Sequence, residues 1–278
     1  SGGDDNKITG NGWSMADSVT FSASGDVNDI GVTLSLELDG DAADGTNQLD
    51  SQSIKLDFGE GGTLTFAGHG GDSAMSAVDD VMPNAYEEPW DVVTGADAGI
   101  INGHSGNNMF TYNYSHDSGI GVTVAYLNAS DAVSDVSYSD IGLTYTGIDG
   151  LTLGYAQGDV EQTTATKSDE HTMYLKYAMG PITVGVQSSE KDEDGGATND
   201  TESTGVGLTY QVNDDLSVGI GSHTIEYNSG DDQESTGFSA SYTMGSLTIA
   251  GAYNSVDNIA NTASDDRSAY ELSFGFAF

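Results

Sequence analysis

The chain has 278 residues, and its 44 Asp and Glu against 6 Lys and Arg give a formal net charge of −38. This charge makes nucleic acid an implausible partner, because a phosphate backbone is bound by a basic surface. The absence of Cys excludes a disulfide scaffold, a thiolate zinc site and a cysteine nucleophile. No apolar run approaches the roughly 18 residues that a membrane-spanning helix requires.

Apolar and polar residues alternate along most of the chain. In residues 32–38, Val and Leu alternate with Thr, Ser and Glu, and in residues 270–278 Tyr, Leu and Phe alternate with Glu, Ser, Gly and Ala. A period of two places each apolar set on one face of a β-strand. Gly, Thr and Tyr are plentiful while Lys, Arg and Gln are scarce, which is unfavourable for helices. The chain is therefore predicted to be all-β.

Fifteen strands are recognisable in chain order. They are predicted at 13–25, 30–39, 49–59, 62–68, 107–117, 119–128, 135–147, 150–159, 168–179, 181–190, 200–212, 215–227, 232–244, 246–256 and 266–278. Tight connections rich in Gly, Asn, Asp and Pro alternate strictly with longer ones, most of which are acidic or rich in Asn and Gly. Short turns at one end and long loops at the other are typical of an outer-membrane β-barrel.

The two faces of the strands also favour a barrel in lipid. Tyr and Phe lie at many strand ends on the apolar face, where a half-wet interface suits them. The opposite face is small and neutral in mid-strand, at Thr152, Gly154, Gly207, Thr209, Gly219 and Gly221. Two alternatives stay open: a soluble β-sandwich or propeller, and a secreted acidic surface protein or adhesin, whose acidity would serve solubility.

Three features carry a resemblance to a known family. The chain ends in the alternating segment 270–278 with a terminal Phe, the connection 69–107 is far longer than any other, and the alternation covers nearly the whole chain. In these features the sequence resembles the Gram-negative general porins, of the trimeric, 16-stranded kind known from photosynthetic alphaproteobacteria. The terminal segment is similar to the signal that the outer-membrane assembly machinery reads.

The resemblance implies a single porin domain over residues 1–278, in the outer membrane of a Gram-negative bacterium. Residues 69–107 would fold into the pore and constrict it. The function implied is passive diffusion of small hydrophilic solutes through a water-filled channel, with one pore in each subunit of a homotrimer. No enzymatic activity is expected. The five His are scattered without a metal-binding spacing; His223 has the parity to pair with Ser217, which chance explains because Ser is frequent.

The count of 15 strands conflicts with the even number that a single-chain bacterial barrel normally has. If the connection 25–30 is a periplasmic turn, residues 1–12 form an extracellular loop. The first strand would then lie upstream of Ser1, or residues 4–12 would form a stunted substitute. The expectation is that the first strand lies upstream.

The long connection is rich in carboxylates, which would form an acidic lip across the pore and favour cations. They are Asp72, Asp79, Asp80, Glu87, Glu88, Asp91 and Asp97. The alternative is an ordinary solvated loop. Tyr86, Pro83, Pro89 and Trp90 would stiffen and pack this segment.

Basic residues opposite the loop are scarce, although members of the family usually carry a cluster of them. Lys55 is the only one near the loop with inward parity, and a salt bridge with an inward carboxylate is its alternative role. Lys176 and Arg267 also point inward by parity, as do Glu37, Asp39, Asp57 and Glu271. The sequence therefore predicts a net preference for cations rather than a strong transverse electric field across the pore.

The segment from Asp39 through Asp41 to Asp44 resembles a loop that binds a hard cation, because its carboxylates are closely spaced around Gly. It lacks the spacing and the terminal Glu of an EF-hand. Ca²⁺ or Mg²⁺ could bind there; a hydrated surface is the alternative.

Tyr is absent before residue 86. A strand facing lipid favours Tyr at its ends, whereas one facing another protein does not. The outer face of strands 13–68 is therefore predicted to be the subunit interface, burying Val19, Phe21, Val32, Leu34, Ile54, Leu56, Leu64 and Phe66. Chance clustering in a monomer is the alternative.

Overall fold

A computed structural model describes residues 2–3, 18–39, 49–78, 81–99, 107–128, 136–162, 167–193 and 200–276. Within them one antiparallel sheet of 16 strands follows chain order, and its first strand lies beside its last. The strands are β1 Gly2–Gly3, β2 Ser18–Val27, β3 Ile30–Asp39, β4 Leu49–Asp57, β5 Thr63–His69, β6 Met109–Ser115, β7 Ile120–Leu127, β8 Val136–Ile148, β9 Leu151–Gln162, β10 Lys167–Met179, β11 Ile182–Glu193, β12 Thr201–Gln211, β13 Leu216–Tyr227, β14 Gln233–Met244, β15 Leu247–Asp257 and β16 Arg267–Phe276.

The fifteen long strands, β2 to β16, lie where the alternation predicts them, with ends that differ by a few residues. The first two connect through a turn narrower than the predicted 25–30, because Val27 pairs directly with Ile30. The two residues between them, Asn28 and Asp29, have φ of 50° and 65°. Two left-handed residues are what a tight hairpin turn requires, and Asn and Asp tolerate that conformation.

The prediction for the N-terminus was wrong at its first residues. Gly2 and Gly3 were assigned to an extracellular loop, but they pair with Tyr270 and Ala269 of β16. These two residues bring the beginning of the chain beside its last strand, as closure of a barrel requires. Residues 4–12, which were considered as a stunted strand, lie outside the described residues.

The outward face of the sheet is apolar and exposed. Phe21 is 57% exposed and Leu34 is 53% exposed on β2 and β3, and Val206 on β12 is 53% exposed. Large exposed apolar side chains continue around the sheet, including Val19, Val186, Ile220, Phe238, Tyr253, Leu272 and Phe274. A monomeric soluble protein rarely exposes so extensive an apolar surface. The outward face is therefore built to lie against lipid or another protein.

The connection between β5 and β6, residues 70–108, is called the inner loop, and its described residues cover part of the inward face. Its residues Met75, Val78 and Met82 pack with inward residues of β6 to β10, including Met109, Tyr138 and Tyr174. A second cluster joins Val93 to Val256, Ile259 and Ala269. The described helical structure consists of short 3₁₀ turns, and no helix among these residues has the length and apolar character to cross a membrane.

Candidate functional site

The inner loop is anchored at its start by a buried carboxylate on β8. Asp140 is 5% exposed. Its Oδ2 accepts hydrogen bonds from the Met75 amide at 2.7 Å and the Tyr138 hydroxyl at 3.2 Å, and its Oδ1 accepts one from the Ala125 amide at 3.0 Å. Burial of a carboxylate is unfavourable unless its oxygens are hydrogen-bonded, as they are here. Asp140 therefore fixes the first part of the loop to the wall.

Glycines on β11 to β13 let the middle of the inner loop approach the wall closely. A Cβ at Gly185 would lie 2.5 Å from Cδ of Pro83, and one at Gly207 would lie 2.6 Å from the carbonyl oxygen of Pro83. A Cβ at Gly221 would lie 2.7 Å from Cγ of Pro89. Only residues without a Cβ permit these contacts. Gly185, Gly207 and Gly221 thus form a groove for the loop, which we call the glycine groove.

Three inward polar side chains of the wall also bind the backbone of the inner loop. Nε2 of Gln187 donates to the Val78 carbonyl at 2.9 Å, and Nδ2 of Asn254 donates to the Glu88 carbonyl at 2.6 Å. Oγ of Ser239 accepts from the Ala85 amide at 3.0 Å. The loop is therefore held along its length by contacts from β11, β14 and β15.

Trp90 packs on His223 of β13, with ring centroids 4.3 Å apart. The imidazole is 1% exposed. Within the described residues neither of its ring nitrogens has a hydrogen-bond partner, so His223 is not hydrogen-bonded to Ser217 or to an acid. Its observed role is to support the indole of the inner loop. Pro83, Pro89 and Trp90 therefore pack the loop as expected.

Carboxylates gather at the centre of the inner loop. Oxygens of Glu87, Glu88 and Asp91 lie within 4.8 Å of one another. The Glu88 amide donates to Oδ2 of Asp91 at 2.9 Å, and Nδ2 of Asn84 donates to the Glu88 carboxylate. Burial and the nearby Asp91 carboxylate raise the pKa of Glu87. These three residues, which we call the acidic trio, concentrate negative charge in a segment without Lys or Arg.

Beside the trio, the hydroxyl of Tyr86 donates to Oε1 of Glu271 on β16 at 2.6 Å. Burial and this bond raise the pKa of Tyr86 to about 12, so the phenol stays a donor at neutral pH. Glu271 faces inward, as its parity predicted.

The remaining predicted site residues lie apart from the trio. Asp72 is exposed near β6, where its carbonyl accepts from Oγ1 of Thr111. Asp97 lies further along the loop and accepts from the Tyr227 hydroxyl at 3.1 Å. Asp79 and Asp80 lie outside the described residues. So do Asp41 and Asp44 of the predicted cation loop, and only the backbone of Asp39, at the end of β3, is described; that site stays a prediction.

Lys55 lies on the inward face of β4, opposite Thr33 and Thr65. In the part of the chain that the structure describes it forms no ion pair, so the alternative role of a salt bridge is not observed. Three other cations are paired with nearby carboxylates: Lys167 with Glu161, Lys191 with Glu193, and Arg267 with Asp265. Lys176 borders a cavity of about 510 Å³ together with Asn84 and Glu88.

Two segments of the chain, residues 1–224 and 187–278, match the model of a family described as Gram-negative porin. The chain belongs to this porin family. It is therefore a β-barrel protein of the outer membrane of a Gram-negative bacterium, and the family forms channels. This assignment decides against the soluble sandwich and the secreted adhesin. No curated protein sequence matches this porin.

Solved porin structures share the fold at low sequence identity. An anion-selective porin from Comamonas acidovorans is 16% identical with a TM-score of 0.74, covering 95% of this chain and 90% of its own. OmpF of Salmonella typhi in complex with daunomycin is 13% identical with a TM-score of 0.70, and the match covers 93% of this chain and 89% of the OmpF chain. A trimer form of OmpT from Vibrio cholerae is 15% identical with a TM-score of 0.67, and the match covers 95% of this chain and 91% of the OmpT chain. The alphaproteobacterial type stays a prediction.

Sequence reasoning missed the polar residues that hold the inner loop. Asp140, Gln187, Gln233 and Asn254 were not singled out, although Gln187 and Asn254 interrupt a face of small residues with a larger polar group. That interruption was the available signal. Their partners are mostly backbone atoms of the loop, which leave no mark on the sequence.

Proposed function

We propose that this porin is a water-filled channel for passive diffusion of small hydrophilic solutes and that it prefers cations. The observation that carries the proposal is the acidic trio, Glu87, Glu88 and Asp91, on a loop against the inward face of the barrel. Carboxylates near a narrow aqueous path attract cations and repel anions. In this proposal the inner loop narrows the pore, Asp72, Asp79, Asp80 and Asp97 add negative potential, and no enzymatic activity is involved.

The wall that the inner loop leaves uncovered supports the same direction of selectivity. Its inward residues on β2 to β5 are mainly hydroxylated, including Thr20, Ser22, Thr33, Ser35, Ser53 and Thr65. Lys55 is the one Lys or Arg among the described residues of these strands. The ammonium groups of Lys55 on this wall and of Lys176, which borders the cavity beside Glu88, face the three carboxylates of the trio, so the summed charge stays negative.

The fold by itself does not decide the sign of selectivity, because a porin of similar fold from Comamonas acidovorans is anion-selective. The preference must therefore come from the charged residues of each chain. Here the net charge of −38 and the trio both favour cations.

Reversal potentials in planar bilayers under a KCl gradient test this proposal. The triple variant Glu87→Gln, Glu88→Gln, Asp91→Asn should lose a large part of the cation preference. A matched triple variant on the outward face, Glu190→Gln, Glu202→Gln, Glu226→Gln, removes the same charge and should change the potential little. Equal effects of the two variants would contradict the proposed role of the trio.

We also propose that three copies assemble through the outer face of strands 13–68. Phe21, Leu34, Ile54 and Phe66 line an apolar groove of about 510 Å³ there. Among the described residues of β2 to β5 there is no Tyr to form an interfacial belt. The trimer form of Vibrio cholerae OmpT is a precedent for three copies in a similar fold.

A further inference from the structure

Gln233, the first residue of β14, lies where two loops meet and is 0% exposed. One is the tail of the inner loop, residues 93–99. The other is the connection between β15 and β16, residues 258–266, which we call the outer loop. Both lie at the end of the barrel that carries the long connections. A buried amide at such a junction must satisfy its polar atoms locally.

The side-chain amide of Gln233 uses its full hydrogen-bonding capacity. Oε1 accepts from the Asp97 amide at 2.9 Å and from the Ala260 amide at 3.0 Å. Nε2 donates to the Asp97 carbonyl at 2.7 Å and to Oγ of Ser235 at 3.4 Å. An amide offers two donors and two acceptor sites, and here one oxygen serves both loops. Movement of either loop therefore disturbs the bond to the other.

The outer loop holds a conformation that needs such support. Asn258, Ala260 and Asn261 have φ of 53°, 47° and 67°, a region that side chains rarely adopt and that persists where the surroundings enforce it. Asn258 contributes by donating from Nδ2 to the Asp232 carbonyl and accepting at Oδ1 from the Ser264 amide. Ile259 is buried against Val93 of the inner loop.

We propose that Gln233 is a positioning residue that couples the outer loop to the tail of the inner loop. The two loops then shift together, and an event that displaces the outer loop also alters the mouth of the channel. The effect on conductance rests on the proposed function, in which solutes pass the inner loop. The coupling of the two loops does not rest on that function.

Because the chain has no Cys, a single introduced thiol can report on the tail. Ala96→Cys is suitable, since Ala96 is partly buried against the cluster around Val93. The rate of its modification by a small maleimide is measured in detergent in four backgrounds: the native chain, Gln233→Met, Asn258→Ala, and both changes together. Met preserves the length of Gln but removes the amide.

Gln233→Met should accelerate labelling of the tail by about fivefold, within the range for residues that share a hydrogen-bond network. Asn258→Ala, a change in the outer loop, should also accelerate it, but only while Gln233 is present. A general loss of stability would instead let Asn258→Ala accelerate labelling in both backgrounds, so this non-additivity distinguishes coupling from it. A reporter at the start of the inner loop, Ala77→Cys, and the outward variant Gln157→Met are controls that should show no change.

An unchanged rate in Gln233→Met would overturn the proposal, as would equal acceleration by Asn258→Ala in both backgrounds. If Gln233→Met fails to fold, Asn258→Ala alone decides, because absence of any acceleration contradicts coupling. An anion preference of the native channel in bilayers would defeat the proposed function and leave the labelling result intact.

Discussion

The phenol of Tyr86 donates a 2.6 Å hydrogen bond to Glu271, which joins the inner loop to the inward face of the last strand. Its partner is a carboxylate, and such charge-assisted bonds are stronger than neutral ones. The bond holds the segment next to Glu87 across the barrel from the Asp140 anchor. The position of the acidic trio therefore depends on the Asp140 anchor at the start of the loop and on the Tyr86 bond beside the trio.

Removing this hydroxyl should loosen the trio without unfolding the barrel. In Tyr86→Phe we expect a noisier open-channel current, because the lost hydrogen bond is worth about 1–2 kcal/mol and leaves Glu271 without that donor. Single-channel recording measures the noise. The matched control is Tyr155→Phe, whose hydroxyl bonds Gln157 on the outward face. Equal noise in both variants would show that the Tyr86 bond does not restrain the loop.

As the pH is lowered, cation preference should begin to weaken at a higher pH than it would if every carboxylate had its usual pKa. The pKa of Glu87 is raised above its usual 4.5, so its charge is present above the raised pKa and is lost as pH falls through it. Reversal potentials measured between pH 8 and 4 should reveal this step. Glu87→Gln should remove it, and the outward control Glu226→Gln should retain it. A step that survives in Glu87→Gln belongs to another group.

The glycine groove predicts an effect on channel size. In Gly207→Val the new side chain would meet the Pro83 carbonyl and push the inner loop away from the wall, into the lumen. Conductance should fall, because the displaced loop narrows the aqueous path and close packing does not absorb such a change freely. Gly25→Val is the control, because a Cβ at Gly25 has no neighbour within 4 Å among the described residues. Unaltered conductance in Gly207→Val would contradict the docking.

The strands were predictable because apolar and polar residues alternate with a period of two in the sequence. Successive residues of a strand face opposite sides, so Val206 faces outward and Gly207 faces inward. The outward face must be apolar in lipid, and the alternation therefore identifies the strands. Gly2 and Gly3 could not be found this way, since glycine has no side chain to alternate. Their pairing with β16 is visible only in the folded sheet.

The site was predictable in composition and not in arrangement. The acids of the long connection were evident, and Glu87, Glu88 and Asp91 are close in the sequence, but their spacing does not say where on the wall they dock. The place of this trio against the wall depends on Pro83 and Pro89, which pack in the glycine groove. Long-range contacts of this kind are set by the wall, which the loop's own sequence does not encode.

The proposed subunit interface predicts a difference between two exposed apolar positions. Leu34→Ser should shift the protein from trimer toward monomer in mild detergent, because it removes apolar area from the interface face. Val206→Ser removes a side chain with the same 53% exposure from the opposite part of the wall and should leave the trimer intact. Native mass spectrometry distinguishes the species. A monomeric native chain, or dissociation by Val206→Ser alone, would contradict the assignment.

Charge replacement at one position during recording tests the central claim, that the acidic trio borders the aqueous path and sets its selectivity. In Glu87→Cys the introduced thiol is the only one in the chain. A cationic methanethiosulfonate reagent should lower single-channel conductance in one step and reduce the cation preference, whereas an anionic reagent should restore that preference. If mass spectrometry confirms labelling and neither reagent alters the current or the reversal potential, residue 87 does not border the path and the account is wrong.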